Sequence, residues 1–214
     1  RITGYVSRGY KEVVLTGTQL GSYGFDLPDI DLAGLLTHIL NETAIIRLRV
    51  SSLQPQEIDA NLLGLWSDPR LCPHFHLALQ SGTDAVLKRM RRRYSARRYQ
   101  EAVALLRDAV PDVSITTDVI VGFPGETDED FERTRDLCDA VSFSAMHVFP
   151  YSLRPGTSAA YLGGRVDPQT KSRRVQVLLA LSQHHATLAR ERSLGLTRPV
   201  LWEGSREESG PDHW

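Results

Sequence analysis

The chain has 214 residues with 25 basic and 26 acidic side chains, and its net charge of −1 excludes a general electrostatic attraction to nucleic acid. Hydrophobic residues make up 41% and charged residues 24% of the sequence, which is ordinary for a globular protein with a sizeable core. The two cysteines, Cys72 and Cys138, exclude a disulfide scaffold and a multi-cysteine metal site within this chain, and they fit a reducing compartment.

The sequence contains neither a run of about 20 apolar residues nor a signal peptide, so we expect a cytoplasmic protein with no membrane partner. It starts at Arg1 rather than at Met, and it stops in a loop just after a strand-like segment, RPVLWEG. We therefore interpret the chain as an interior piece of a longer protein.

Strand-like apolar runs alternate with amphipathic helical runs, after a first helix that ends at Gly9. Strands are predicted at residues 12–17, 45–52, 74–82, 113–123 and 144–151. Helices are predicted at residues 32–40, 57–66 and 96–110, from 127 onward, and at 167–195. The residue types before these helices predict the N-caps, which are Asp29 or Asp31, Ser95, Thr127 and Asp167.

This alternation implies parallel strands with crossover helices, as in a doubly wound sheet or a partial β/α barrel. Polar residues follow every predicted strand, and in barrels the chemistry gathers at the carboxyl ends of the strands. These residues are Thr18 and Gln19, Ser51 and Ser52, Gln80 and Ser81, residues 122–126, and Tyr151 with Ser152. A ring of this kind favours the barrel.

The segment GFPGET, residues 122–127, is not a phosphate loop, because no Gly-Lys-Ser/Thr follows it, and it is not a dinucleotide fingerprint, because its glycine spacing is wrong. It is either a tight strand-to-helix turn or a turn whose glycines let a ligand approach the backbone. Asp118 shares a strand face with Ile120 and Gly122, because side chains alternate along a strand. We expect its carboxylate either to be buried and paired or to point into a barrel lumen.

Residues 87–99 carry seven basic side chains and no acidic one. This run is either a solvated face or an RNA-binding surface, and the interleaved Tyr94 and Tyr99 favour the second. The predicted RNA-binding residues are Arg91, Arg92, Arg93, Arg97 and Arg98. Lys88 and Arg89 lie close enough to Gln80 for one of them to meet a carboxylate or a phosphate at the strand ends.

The histidines do not predict a metal site. His74 and His76 share a strand face near Cys72, but the sequence offers no evident third ligand. We therefore predict no metal ligand and no catalytic residue within this chain.

Five segments occur in the order and at the intervals of one known family. They are VVLTGTQLGSYG, IIRLRVSSLQP, DPRLCPHFHLALQSGTDAVLKRMRRRY, TTDVIVGFPGETDEDF and HVFPYSLRPGTSAA. Over residues 5–198 the chain resembles the radical S-adenosylmethionine methylthiotransferases. RVSSLQP and HVFPYSLRPGT resemble the branch that acts on threonylcarbamoyladenosine in tRNA. The branches that act on isopentenyl-type adenosines and on ribosomal protein S12 are the alternatives.

The resemblance implies an α/β fold with a partial radical-SAM TIM-like barrel. Residues 1–166 would form the barrel core, 167–196 its long last helix, and 197–214 the start of a truncated TRAM-type RNA-binding domain. The family uses S-adenosylmethionine and two 4Fe-4S clusters, and it adds a methylthio group to C2 of a modified adenosine in the tRNA anticodon loop. The family's Cys-x-x-x-Cys-x-x-Cys motif is absent from the sequence, so we expect an inactive isolated chain. We expect a monomer, and the sulfur donor is left open.

The resemblance also implies cofactor-binding roles for thirteen residues. Gly17 and Gln19 would lie near the methionine moiety, and Lys88 or Arg89 would bind its carboxylate. Ribose and adenine would lie against one strand and its turn, with Tyr151 stacking. The full predicted set is Gly17, Gln19, Ser51, Ser52, Gln80, Ser81, Lys88, Arg89, Asp118, Ile120, Gly122, Phe123 and Tyr151.

Two other functions are alternatives, and the second of them is poorly supported by the sequence. The chain can be a binding module that holds S-adenosylmethionine or RNA without catalysis, because the cluster cysteines are absent. A metal-independent barrel enzyme acting on a small phosphate ester would need a phosphate loop after a late strand. SLRPGTSA, residues 152–159, is a poor loop of that kind.

Overall fold

The computed structural model describes residues 1–202, which form parallel strands and surrounding helices. The strands are β1 Glu12–Leu15, β2 Arg47–Val50, β3 His74–His76, β4 Ser114–Val121 and β5 Ala145–Pro150. The helices are α1 Ile2–Ser7, α2 Leu32–Glu42, α3 Ala60–Gly64, α4 Asp84–Arg89, α5 Ala96–Ala109, α6 Asp128–Val141 and α7 Pro168–Glu191. Short 3-10 turns occupy Leu20–Ser22, Pro55–Glu57, Leu65–Ser67 and Ser158–Tyr161.

Neighbouring strands pair in parallel and follow the order of the sequence. β1 pairs with β2, and β3, β4 and β5 form a second parallel sheet. Single parallel bridges, Leu48 to Leu71 and Leu53 to Leu77, connect β2 to the segment around β3. A doubly wound sheet reverses its strand order at a switch point, and these five strands contain no such reversal.

The hydrophobic core lies between the strands and the helices. Along β4, Ile115, Thr117, Val119 and Val121 are buried, whereas the alternating residues are partly exposed. This period of two is the pattern of a strand that buries one face. Leu36 of α2, Leu106 of α5 and Cys138 of α6 are buried in the same cluster. Asp118 and Ile120 are therefore left on the open face of β4.

The predicted N-caps are confirmed at four helices. Asp31, Ser95, Thr127 and Asp167 each accept a hydrogen bond from the backbone N–H three residues later. Asp31 rather than Asp29 caps α2, because Asp29 has a φ of 57° and lies outside the helix. Each such cap stabilises a helix by about 1 kcal/mol.

Two predicted elements differ in the structure, and one helix was missed. The predicted strand 74–82 is regular only over His74–His76. The predicted helix 57–66 is divided, with an α-helix over Ala60–Gly64 capped by Asp59. The short helix Asp84–Arg89 was not predicted, because the basic character of its second half hid Val86 and Leu87, which are buried.

The carboxyl-terminal segment does not form the predicted strand as far as Trp202. Residues 197–202 have no strand assignment, and a strand requires a partner ladder that this segment does not make. Residues 203–214, the rest of the predicted TRAM start, lie outside the described part of the chain. Within residues 1–202, no helix combines the length and apolarity needed to cross a bilayer.

Candidate functional site

A cleft of about 490 Å³ opens at the carboxyl ends of β4 and β5. We call it the strand-end cleft. Its lining includes five of the predicted cofactor-binding residues, which are Gln80, Asp118, Ile120, Phe123 and Tyr151. The remaining lining residues are Phe149, Pro150, Ser152, Arg154, Thr157 and Ala159. The structure therefore brings together residues that are distant in sequence. Gln80 and Tyr151, the first and last of the five predicted residues, are 71 positions apart.

Gln80 enters this cleft from a β-bulge at the end of β3. The N–H of Leu77 donates to Thr116 O, and the N–H of Gln80 donates to Asp118 O. Three residue steps on one strand thus match two on the other, which is the definition of a bulge. Gln80 takes a φ of 64°, in the left-handed region, and its carbonyl accepts from the Ile120 N–H.

Three hydroxyl groups bind the backbone that the bulge frees from the ladder. Thr117 Oγ1 donates to Leu77 O at 2.8 Å and accepts from the Leu79 N–H at 2.9 Å. The hydroxyl of Tyr99 donates to Leu77 O at 2.7 Å, and that of Tyr94 donates to the carbonyl of residue 78 at 2.8 Å. Buried backbone groups need such partners, so these hydroxyls hold the strand end that carries Gln80.

The prediction that Tyr94 and Tyr99 belong to an RNA-binding surface is wrong. Both rings are buried, Tyr99 completely, and both hydroxyls are engaged at the bulge. Burial raises the pKa of Tyr94 to about 12 and raises the pKa of Tyr99 further. Both therefore act as neutral hydrogen-bond donors in the core rather than as stacking surfaces.

The glycine turn after β4 is held from behind by α7. Gly122 has a φ of 72°, and its N–H donates to Glu126 Oε1 at 2.9 Å. The same oxygen accepts from Arg174 Nη1 at 2.5 Å, and both side chains are almost fully buried. A Cβ on Gly122 would overlap the side chain of Lys171, so this position has no room for one.

An aromatic pair forms one wall of the strand-end cleft. The rings of Phe123 and Tyr151 meet edge to face with centroids 5.1 Å apart. The backbone carbonyl of Tyr151 accepts from Lys171 Nζ at 3.2 Å, which ties the end of β5 to α7. Together with Ile120, this wall is apolar and suits the face of a flat ring.

The same cleft also carries a charged group, Asp118. Its Oδ2 lies 3.3 Å from Nε2 of His76 on β3. The hydrogen bond with His76 holds the pKa of Asp118 below its ordinary value, and the nearby His147 and Arg92 lower it further. Partial burial raises the pKa of Asp118, but this effect is smaller than that of the hydrogen bond with His76. Asp118 is therefore an acceptor for hydroxyl or N–H donors in the cleft.

The other predicted cofactor-binding residues lie elsewhere in the described part of the chain. Gly17 and Gln19 are exposed in the loop after β1, and Ser51 and Ser52 contact one another at 3.2 Å after β2. Lys88 is exposed on α4. None of these five residues lines the strand-end cleft.

Two further predicted residues, Ser81 and Arg89, form contacts behind the cleft and do not line it. Ser81 is buried, with its hydroxyl 3.4 Å from that of Thr134 on α6. This contact directs Ser81 toward α6, whereas Gln80 lines the cleft. Arg89 Nη1 donates to Pro124 O at 3.1 Å, beneath the glycine turn.

His76, Arg154 and Thr157 were missed as site residues by the sequence reasoning. His76 was considered only as a metal ligand, yet it contacts Asp118 directly. Arg154 and Thr157 lie in the segment after β5 and line the cleft. The sequence does indicate Arg154 and Thr157, because polar residues that follow a parallel strand are expected at the carboxyl ends of the strands, where the cleft lies.

The basic run forms a mixed surface. Arg91, Arg92 and Arg93 are exposed, whereas Arg97 pairs with Glu101 one helical turn away. Arg98 is partly buried and donates to Ile58 O at 3.0 Å. Of the five predicted RNA-binding residues, Arg91, Arg92 and Arg93 are therefore the ones left for a partner.

The cysteines are not placed to hold an iron-sulfur cluster. Cys72 and Cys138 are both buried, one before β3 and the other in α6. Burial raises the pKa of both thiols, that of Cys138 to about 12, whereas cluster ligands are thiolates. Within residues 1–202, no three side chains of metal-ligand type come together.

The sequence matches the profile of the Radical SAM superfamily over residues 2–138, which is more than half of the chain. The chain belongs to the Radical SAM superfamily. The match runs from the start of α1 into α6 and so includes Gln80, Asp118 and Phe123 of the strand-end cleft. In this radical SAM chain, Tyr151 and the segment after β5 complete the cleft from outside the matched range.

Curated relatives of this radical SAM chain include tRNA-modifying enzymes. It is 44% identical over 199 residues to the threonylcarbamoyladenosine tRNA methylthiotransferase MtaB of Thermotoga maritima, covering 92% of this chain and 46% of the relative. It is 41% identical to MtaB of Bacillus subtilis, covering 85% and 41%. It is 37% identical to the tRNA-2-methylthio-N(6)-dimethylallyladenosine synthase of Pelotomaculum thermopropionicum, covering 93% and 45%. The chain thus spans less than half the length of these relatives.

Solved structures of other radical SAM enzymes share the fold. Coproporphyrinogen III oxidase, HemN, from Escherichia coli superposes with a TM-score of 0.58 at 19% identity, covering 72% of this chain and 37% of that chain. The radical S-adenosylmethionine methyltransferase TsrM from Kitasatospora setae gives 0.55 at 16% identity, covering 69% and 29%. At these identities, the likeness concerns the fold.

Proposed function

We propose that this chain is the cofactor-binding core of a tRNA methylthiotransferase that modifies C2 of N6-threonylcarbamoyladenosine. The observation that carries the proposal is the strand-end cleft, where five residues predicted from the family motifs converge. Relatives that are 41–44% identical over most of the chain carry the name of that activity. We also propose that the sequential parallel strands are part of a β/α barrel, and that residues 197–214 begin a TRAM-type domain.

S-adenosylmethionine fits the chemistry of the strand-end cleft. Ile120, Phe123 and Tyr151 offer an apolar wall for the adenine ring. The Asp118 carboxylate, which is held ionised by His76, is an acceptor for ribose hydroxyls. The Gln80 amide supplies both a donor and an acceptor on the same cleft.

The residues present do not fit a 4Fe-4S cluster, as the two buried thiols show. In our proposal, the ligands of both clusters come from parts of the longer protein outside these 214 residues. The bound cofactor supplies the radical chemistry, and this chain's residues hold the cofactor and exclude water around it. The isolated chain is then a binding core without activity of its own.

The proposed macromolecular partner is the anticodon loop of tRNA. Arg91, Arg92 and Arg93 are exposed next to α4 and supply positive charge for its backbone. We propose a monomer that acts in the cytoplasm. An adenosine carrying a dimethylallyl group is the alternative substrate, since relatives named for that reaction are 37–41% identical to this chain.

Nucleoside analysis tests the proposal directly. The full-length parent protein is expressed in a bacterial strain that lacks methylthiotransferases, and its tRNA nucleosides are separated by mass spectrometry. We expect the 2-methylthio derivative of N6-threonylcarbamoyladenosine. The 2-methylthio derivative of the dimethylallyl nucleoside would establish the alternative substrate instead. Iron-loaded protein that leaves both nucleosides unmodified would overturn the proposed activity.

Titration of the 214-residue chain with S-adenosylmethionine tests the cofactor site separately. We expect binding that is weakened about fivefold or more by Gln80→Ala or Asp118→Ala, since each removes a charge-assisted or polar contact worth about 1–3 kcal/mol. Gln100→Ala on exposed α5 is the matched control for Gln80→Ala. Equal affinities for Gln80→Ala and Gln100→Ala would place the cofactor elsewhere.

A further inference from the structure

A second cavity, of about 750 Å³, lies at the opposite end of the sheet from the strand-end cleft. It is bounded by the residues that begin β4, by Ser142 and Ser144 before β5, and by the last turns of α5 and α7. Four arginines line it, which are Arg107, Arg190, Arg192 and Arg198. We call it the arginine cavity. The family motifs and the basic run at 87–99 include none of these four residues.

Within residues 1–202, no carboxylate neutralises most of the positive charge in the arginine cavity. Asp112 is the acidic residue in its lining, and it pairs with Arg198 at 3.1 Å. Within residues 1–202, Arg107, Arg190 and Arg192 form no ion pair with an acidic side chain. Arg107 donates instead to Val141 O, and Arg190 to Thr187 Oγ1.

Helix dipoles offset part of this charge without cancelling it. The carboxyl ends of α5, α6 and α7 reach the arginine cavity, and basic side chains near such ends are favourable without any ligand. Each end contributes roughly half a negative charge, so three ends offset about half of three guanidinium charges. The pKa of Arg107 is lowered by burial and by the neighbouring charge of Arg192, which agrees with a positive excess.

The lining indicates the chemical class of the ligand. Guanidinium groups bind phosphate oxygens with two parallel N–H donors, and the serine hydroxyls add further donors. Within the described residues, the lining contains no aromatic side chain, so nucleobases have no surface on which to stack. These features favour phosphodiester groups over bases or free aromatic ligands.

We propose that the arginine cavity binds phosphates of the RNA backbone. The choice of RNA rests on the proposed function, and the site would anchor the tRNA at a distance from the reacting base. Six residue steps separate Ser114 from Ile120 along β4, so the two sites lie about 20 Å apart along the strand. S-adenosylmethionine in the strand-end cleft therefore does not compete with RNA in the arginine cavity.

The salt dependence of RNA binding by the 214-residue chain tests the inference. An unmodified tRNA transcript is titrated between about 50 and about 200 mM salt, where the slope of log K against log salt is about −0.7 to −0.9 for each phosphate contact. The double substitution Arg190→Gln with Arg192→Gln removes two exposed cationic groups. We expect the slope of log K against log salt to become shallower by about two, with weaker binding throughout the range.

Three further variants make the result specific. Arg190→Lys with Arg192→Lys keeps both charges, so the slope should stay near the wild-type value. Arg133→Gln with Arg135→Gln removes two arginines on α6 that are paired with acids, and the slope should again stay unchanged. Arg91→Gln with Arg93→Gln measures how much of the slope comes from the exposed arginines next to α4 rather than from the arginine cavity.

The possible outcomes separate this inference from the proposed function. An unchanged slope in the Arg190→Gln/Arg192→Gln variant overturns the inference, as does the absence of tRNA binding by wild-type chain. If the parent protein modifies tRNA and the slope is unchanged, the arginine cavity is not an RNA site but the activity stands. If the slope changes and no methylthio nucleoside forms, the RNA site stands and the activity fails.

Discussion

Glu126 and Arg174 form an ion pair that is buried between the glycine turn and α7, with Oε1 and Nη1 2.5 Å apart. The same Glu126 oxygen accepts the N–H of Gly122, and Arg174 Nη2 donates to Asp128 Oδ1 at 2.9 Å. The turn that borders the strand-end cleft is thus fixed by a residue 48 positions later in the chain. The position of α7 and the shape of the cleft are therefore coupled.

Removal of one partner of this pair should be strongly destabilising. We expect Arg174→Ala to lower the free energy of unfolding by about 3–5 kcal/mol, because it leaves the Glu126 carboxylate buried without its counter-charge. Urea denaturation measures the change. Arg173→Ala is the control, since Arg173 is exposed and lies 3.5 Å from Asp128. A loss below about 1 kcal/mol for Arg174→Ala would mean that the pair is not buried in solution.

The bulge hydroxyls should affect both stability and the strand-end cleft. Tyr99→Phe removes the donor to Leu77 O in a fully buried position, and we expect a loss of about 1–2 kcal/mol. Because the bulge carries Gln80, affinity for S-adenosylmethionine should fall as well, even at temperatures where the variant is fully folded. Phe143→Leu removes a buried ring that packs against Tyr99 but makes no bulge hydrogen bond. It should lower stability and leave the affinity unchanged.

Gly125 should not tolerate a side chain. It has a φ of 82°, and a Cβ at this position would overlap Arg89 Nη1. We expect Gly125→Ala to cost about 1–2 kcal/mol from the left-handed conformation, plus the displacement of Arg89 from Pro124 O. Gly163→Ala is the matched control, because no atom lies within 4 Å of the point that its Cβ would occupy. Similar denaturation midpoints for the two alanine variants would contradict the turn geometry.

Asp118 should make stability depend on pH in the acid range. Its pKa in the folded protein is lowered, first by the hydrogen bond with His76, so the unfolded chain binds more protons as pH falls. The stabilisation is present above the unfolded pKa of about 3.9 and is lost as pH falls through the lower folded pKa. Asp118→Asn should flatten this part of the curve of urea midpoint against pH. If the curve of Asp118→Asn below about pH 4 equals that of the wild type, Asp118 does not contribute to the acid dependence of stability.

Local features of the fold could be predicted from the sequence, because they depend on neighbouring residues. The N-caps Asp31, Ser95, Thr127 and Asp167 follow from short polar side chains before helical runs. The alternation along β4 placed Asp118 and Ile120 on one face, and both line the strand-end cleft. Parallel strands followed from strand–helix alternation, because a crossover connection requires a helix or a long loop.

Tertiary structure alone decided which polar groups face the cleft and which serve the interior. Tyr94 and Tyr99 were grouped with the arginines by spacing, yet the bulge at Leu77–Gln80 needs their hydroxyls in the core. Ser81 was grouped with Gln80, yet Thr134 of α6 holds it on the other face. The arginine cavity likewise combines the ends of three helices that are distant in sequence. Sequence periodicity describes each element by itself, whereas the need to satisfy buried hydrogen-bonding groups is settled only when the elements pack together.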